Sequence, residues 1–165
     1  MSFILIIIEC NMTELEKSIN VKMQSAIQQA HNAQEADEVP IGAVIYKDGT
    51  IIGRGFNQTE QLQDPTAHAE IIAITSAANT LNDWRLSGCE LFVTKEPCPM
   101  CAGAIINARI KFLGFGAYDE HTGCCGSLYQ ICQDPRFTHQ TIVRGGVLEM
   151  DCEYLLKQFF LNKRK

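Results

Sequence analysis

Apolar and polar positions along this chain repeat with two different periods. Leu15, Ile19, Met23, Ala26, Ile27 and Ala30 recur at intervals of about three to four residues, which predicts a helix from residue 13 to the mid-thirties. Thr13-Glu14-Leu15-Glu16 has the T-x-x-E form of a capping box and marks the expected start of that helix. Residues 41–46 and 51–57 are apolar runs separated by Lys47-Asp48-Gly49-Thr50, and Asp-Gly between two such runs predicts a hairpin. A helix over residues 66–80 follows, with Ala67, Ile71, Ile74, Ala78 and the next residue, Leu81, along one face. Residues 91–94 read as a buried strand, and a short helix containing Ile105 and Ile106 follows Pro97. Residues 111–117 form another expected strand. A loop containing Gly123 and Gly126 leads to a short helical piece near residues 127–132. A last short strand over residues 141–143, a turn at Gly145-Gly146 and a helix over residues 149–162 complete the order, with Cys152, Leu155, Leu156, Phe159 and Phe160 expected toward the core. Strand and helix alternate after the hairpin, so the expected fold is α/β, with a central sheet that is parallel in part and covered by helices on both faces. Sites in such sheets form where strand ends meet helix N-termini.

Composition narrows the class without naming a function. The chain has 165 residues, which suits one domain at about 100–200 residues each. Residues 12–165 are expected to form it, and residues 1–11 are expected to be an extension outside the fold. Hydrophobic residues at 46% and charged residues at 20% are ordinary for a globular protein, which argues against disorder, collagen and coiled coil. The formal net charge of −5 argues against general coating of nucleic acid, though not against a local basic patch. Residues 3–8 are a six-residue apolar run without a basic leader, far short of the roughly 20 residues a membrane helix needs, so no membrane role is expected. The eight cysteines do not suit a secreted disulfide scaffold, which would be shorter and poorer in core residues. The expected location is the reducing cytoplasm, with thiols free or on a metal. Cys10, Cys89, Cys132 and Cys152 are expected as small core fillers, and Cys124 and Cys125 as loop thiols.

Two fragments carry chemistry, each at a predicted helix start: Pro65-Thr66-Ala67-His68-Ala69-Glu70 and Pro97-Cys98-Pro99-Met100-Cys101. Cys98 and Cys101 are three apart, share one helix face and can share a metal. The positive end of a helix favours thiolates there, and Pro99 suits a first turn that needs no backbone donor. A C-x-x-C alone fits a redox pair or two buried thiols equally well, and a lone H-x-E is weaker still. Two thiolates with the His68 imidazole make a zinc set that leaves a fourth position for water, as catalytic sites do. Glu70 is two residues from His68, and on a regular helix the two side chains would diverge. Both can face one water only if His68 sits in an irregular entry turn. The competing reading of Glu70 is a solvated first-turn glutamate, favoured by the helix dipole.

The combination H-x-E with P-C-x-x-C resembles the zinc-dependent cytidine and deoxycytidylate deaminase superfamily. Further fragments resemble its bacterial tRNA-specific adenosine deaminases: Val39 to Val44, Asp64 to Ile71, Trp84-Arg85-Leu86, Glu96 to Ala104, Phe115 to Asp119, Gly126-Ser127-Leu128 and Phe159-Phe160 with its basic tail. The match runs from about Met12 to the C-terminus. The resemblance implies a three-layer α/β/α sandwich around a mixed sheet of about five strands. It also implies one zinc ion per subunit on His68, Cys98 and Cys101, a proton shuttle at Glu70, and hydrolytic deamination of adenosine to inosine at the wobble position of an arginine tRNA anticodon by a homodimer. By the same resemblance Asn57, Asp119, Phe160 and Arg164 meet the RNA. Against those roles stand ordinary ones: a strand-ending turn for Asn57, loop solvation or capping for Asp119, packing for Phe160 and a solvated terminus for Lys163-Arg164-Lys165. Lys95 departs from the pattern, standing where relatives carry an apolar residue, and so does Cys124-Cys125. Two alternatives remain open: a free-base or nucleotide deaminase, such as a guanine deaminase, on the same zinc site, and a non-catalytic zinc or RNA-binding module.

Overall fold

The computed structural model describes residues 3–164, with side chains from Glu14 onward. Helix α1 (Phe3–Glu35) leads into the hairpin of β1 (Gly42–Lys47) and β2 (Thr50–Phe56). A single-turn helix α2 (Thr59–Leu62) and the longer α3 (Ala69–Leu81) follow. Then come β3 (Glu90–Lys95), α4 (Pro99–Asn107), β4 (Phe112–Ala117), a 3-10 turn at Ile131–Gln133, β5 (Ile142–Arg144) and α5 (Glu149–Lys163). The five strands form one sheet in the order β2-β1-β3-β4-β5. β1 is antiparallel to both β2 and β3, whereas β3, β4 and β5 run parallel, so the sheet is mixed as expected.

Local sequence explains the turns. Asp48 and Gly49 both take positive φ, at 49° and 77°, and Lys47 pairs with Thr50. That is a two-residue turn with both central residues left-handed, the type whose twist matches a hairpin. Alternation along the strands splits the core into two layers. Ala43, Ile45, Leu91, Val93, Leu113 and Phe115 meet α3 and α4 on one face. Val44, Tyr46 and Phe92 meet α1 and α5 on the other, through Ile19, Met23, Ala26, Cys152 and Leu155.

Four expectations need correction. α1 starts at Phe3 and passes through Thr13, so the T-x-x-E box lies inside a helix and caps nothing. α2 was not anticipated, because Thr59–Leu62 is too short to carry a period and buries no residue. The buried stripe of α3 is Ala69, Ala73 and Ala77, while Ile71, Ile74, Ala78 and Leu81 are only half-buried. The reason lies in β2: a Cβ on Gly55 would stand 2.4 Å from the Ala69 carbonyl oxygen and 2.6 Å from the Ala73 nitrogen. Helix and strand backbones touch there, and only alanine fits the helix face between them. Finally, Phe159 is buried but Phe160 is 48% exposed, so Phe160 is not a core residue.

No disulfide forms among the described cysteines. Cys89, Cys132 and Cys152 are buried fillers as expected, and Cys124 and Cys125 lie in the loop after β4 as expected, with their side chains buried. The expectation for Cys10 falls outside the described side chains. No helix among the described residues is long and apolar enough to cross a membrane.

Candidate active site

The two chemical fragments meet at one end of the sheet, where α3 and α4 begin. Asp64 accepts hydrogen bonds from the Thr66 N–H at 2.8 Å and the Thr66 hydroxyl at 2.7 Å, which folds Pro65 into a tight turn. His68 then stands one residue before α3 with extended backbone, φ −76° and ψ 153°. This is the irregular entry that the two-residue spacing demanded, and it lets His68 and Glu70 line the same cavity. Cys98 holds the equivalent place before α4, with Pro99 as the first helical residue, and Cys101 lies buried in the first turn. The His68 Nδ1 lies 3.6 Å from the Cys98 sulfur and 3.5 Å from the Cys101 sulfur. All three ligand atoms fall within 4.8 Å of one another, a group able to hold a metal ion.

Electrostatics fit that use. Contact with the Cys101 thiol, helped by His68 against the opposing effect of burial, holds the Cys98 thiol down to about 4. The same contact and burial push the Cys101 thiol far up. A cation held against both sulfurs would favour ionisation of both. The hydrogen bond to Cys98 raises the His68 imidazole. Glu70 is 4% exposed, and burial raises its carboxyl above the usual carboxylate range, with the Cys98 charge adding to the shift.

The cavity wall also includes Ile41, Asn57, Lys95, Glu96 and Thr122. Asn57 is buried at the end of β2, where its Nδ2 donates to Glu38 at 3.1 Å and its Oδ1 accepts from the Thr59 hydroxyl at 2.9 Å. Lys95 ends β3 without disturbing it and donates to Asp119 at 2.5 Å. Asp119 is buried and also accepts from the Thr122 hydroxyl, the His121 N–H at 3.0 Å and the Thr122 N–H at 3.2 Å. Burial opposes ionisation, but these donors win and hold the Asp119 carboxyl well below its usual range. Both of its oxygens are therefore occupied within the chain. Phe160 and Arg164 lie outside this cavity, along an apolar groove at the end of α5 with Leu156, Lys157 and Leu161. Lys163 reaches from that end to Asp37 at 2.6 Å, beside the Glu38 that holds Asn57.

Two important residues were missed from the sequence. Glu38 is one. Glu96 is the other: its Oε1 accepts from the Cys125 and Ser127 N–H groups at 3.0 and 2.9 Å, and its Oε2 from the Asp119 N–H at 3.0 Å and the Ser127 hydroxyl. A Cβ at Gly123 would lie 2.3 Å from Glu96 Oε2, so the loop closes on this carboxylate only because Gly123 has none. An acidic residue directly between a buried strand and Pro-Cys was the available signal.

The chain matches known proteins over most of its length. The MafB19-like deaminase family model matches residues 17–164. The tRNA-specific adenosine deaminase of Bacillus subtilis (strain 168) is 48% identical over 143 residues, which cover 87% of this chain and 89% of that one. This chain is a MafB19-like deaminase, of the tRNA-specific adenosine deaminase family. A structure solved in work on A-to-I editing by tRNA:A34 deaminases at the wobble position of transfer RNA is 44% identical to it, with a TM-score of 0.78 over 82% of this chain and 98% of the other. A guanine deaminase from Bacillus subtilis is 42% identical but aligns over only 59% of this deaminase and 63% of its own length, with a TM-score of 0.57.

Proposed function

We propose that this deaminase hydrolyses the 6-amino group of adenosine at the wobble position of a tRNA anticodon, giving inosine and ammonia. The observation that carries the proposal is the buried Glu70 carboxyl, on the wall of the cavity that His68 and Cys98 also line. Family membership narrows the substrate. The 44–48% matches over most of both chains are to tRNA enzymes, whereas guanine deaminases match either over little more than half of this chain or, over most of it, at only 24% identity.

His68, Cys98 and Cys101 would hold zinc. A tetrahedral zinc with sulfur at about 2.3 Å and nitrogen at about 2.0 Å sets those ligand atoms about 3.5 Å apart. The 3.5 and 3.6 Å separations found here fit that geometry without rearrangement. When bound, the ion supplies Lewis-acid activation of the attacking water. Glu70 takes the proton that water releases, delivers it to N1 of the adenine as the oxygen bonds to C6, and passes the next proton to the departing amino nitrogen. A carboxyl whose affinity for protons is raised by burial suits both receiving and returning them. Asn57, on the wall of the same cavity, orients the base. Phe160 and Arg164 meet the anticodon loop, whose bases are splayed out at less cost than in a duplex. Asp119, with Lys95, braces the loop that carries Thr122, and an RNA contact there would share an oxygen with those partners. An arginine tRNA as substrate and a homodimer as the working form follow from the family resemblance. A cytoplasmic location follows from the likeness to tRNA-modifying enzymes.

The test is incubation of the zinc-loaded protein with an arginine tRNA bearing adenosine at the wobble position, scored for inosine, beside free guanine scored for xanthine. Inosine without xanthine is expected; xanthine alone would establish the rival activity. Glu70→Ala is expected to abolish turnover while keeping one zinc per chain, and turnover that survives the substitution would remove Glu70 from the mechanism.

A further inference from the structure

We propose that Glu38 is a positioning residue that fixes which way round the Asn57 carboxamide faces the cavity, and so helps set which nucleobase the site accepts. The proposal rests on the nucleobase reading above but concerns a residue outside the cavity lining. Glu38 is 1% exposed, at the junction between α1 and β1. A buried carboxylate is costly unless its oxygens are hydrogen-bonded. Here the partners are two N–H donors rather than a cation: Asn57 Nδ2 at 3.1 Å on Oε2, and the Gln61 N–H at 2.6 Å on Oε1. Packing alone would be served as well by an apolar side chain of similar size. What only a carboxylate supplies is two acceptors and no donor.

That property acts on Asn57. A carboxamide has a donor end and an acceptor end of nearly equal shape, and its partners decide between them. An acceptor-only neighbour forces Nδ2 toward Glu38, and the Thr59 hydroxyl at 2.9 Å then donates to Oδ1. Both ends are pinned. The second Nδ2 hydrogen and the second Oδ1 lone pair remain for a ligand, in a fixed order. Adenine and guanine present opposite donor and acceptor orders at their six-position edge, so an amide that cannot turn over discriminates between them by leaving the wrong base unpaired.

Glu38→Gln tests this sharply. The Gln61 N–H belongs to the backbone and cannot turn, so the new side chain must give it Oε1. Its NH2 then faces the Asn57 NH2, and the relief is for Asn57 to turn over, with the Thr59 hydroxyl rotating to accept. The experiment measures kcat and KM for an anticodon stem-loop with adenosine at the wobble position. It uses the zinc-loaded parent, Glu38→Gln, Asn57→Ala and the double variant, with zinc content and Tm alongside. The expected result is a loss in kcat/KM of about tenfold to a hundredfold for Glu38→Gln, the scale of one misdirected buried hydrogen bond. No further loss is expected when the substitution is made on top of Asn57→Ala. An equal loss in both backgrounds, or none in the parent, overturns the proposal. The Asn57 side-chain amide, followed by NMR in the ligand-free protein, decides independently of substrate. Nuclear Overhauser contacts of the Asn57 NH2 with the Glu38 side chain in the parent that give way to contacts with the Thr59 side chain in Glu38→Gln support the positioning role, and the same contacts in both overturn it. If the parent leaves the stem-loop unchanged, the substrate reading falls while the NMR result still judges Glu38.

Discussion

On one face of the sheet, α3 lies against β2 through alanines and glycines, with backbone touching backbone. On the other, α1 and α5 lie against β1 and β3 through Met23, Tyr46, Phe92 and Leu155. The first arrangement leaves no slack. Where β2 stands, α3 must stand, and with it His68 and Glu70. The second is mostly a layer of large side chains, in which a lost atom leaves a hole but moves no ligand. Main chains touch there too at Gly42, whose Cβ would stand 2.2 Å from the Ala26 carbonyl oxygen and 2.3 Å from the Ala30 nitrogen, so α1 is seated on β1 as closely as α3 is on β2. The faces differ in what hangs on that seat: α3 carries His68 and Glu70 with it, and α1 carries no residue of the His68, Cys98 and Cys101 group.

Two substitutions and one truncation sharpen or break this contrast. Gly55→Ala should do the most damage to activity. Its Cβ meets the Ala69 carbonyl at 2.4 Å, so α3 must retreat and take His68 and Glu70 with it. A displacement on the order of 1 Å at reacting groups costs about a hundredfold in rate, and zinc per chain should fall in parallel. Near-normal kcat/KM with full zinc would erase the distinction between the faces. Phe92→Ala should act the other way. Phe92 is fully buried between Tyr46 and Phe112, and its truncation should cost about 3–5 kcal/mol in urea unfolding. The fraction that stays folded should keep its zinc and its kcat/KM. A collapse in kcat/KM beyond the unfolded fraction would show that the large-residue face also tunes the site. Removing residues 162–165 should have the smallest effect on stability, since the Lys163–Asp37 pair is exposed and worth about 0–1 kcal/mol. It should raise KM for tRNA several-fold at unchanged zinc content, and unchanged tRNA affinity would count against an RNA role for the end of α5.

The sequence revealed most where a local rule governs structure. Asp48-Gly49 specified its turn, and Pro65 and Pro97 marked the two helix entries, so the coming together of His68, Cys98 and Cys101 was legible in the sequence. It misled where a local cue was overridden: Thr13 to Glu16 has the form of a cap, but the helix continues through it. It was weak where the informative residues are small. Ala69, Ala73 and Ala77 carry less apolar signal than Ile71 and Ile74, yet they are the buried ones because β2 presents glycine to them. It was silent on Glu38, and for Glu96 it offered only a position between a buried strand and Pro-Cys. Each accepts from groups 19 to 31 residues away, and such pairings leave no periodic trace. Asp119 shows the converse. The resemblance points it toward RNA, while its oxygens are engaged by Lys95, His121 and Thr122, a network invisible until the chain is folded.

The contact of Lys163 with Asp37 ties the last turn of α5 to the short connection between α1 and β1, one residue before Glu38. An environment-sensitive dye carried on α5 beside Lys163 would therefore sense any shift of the connection that carries Glu38.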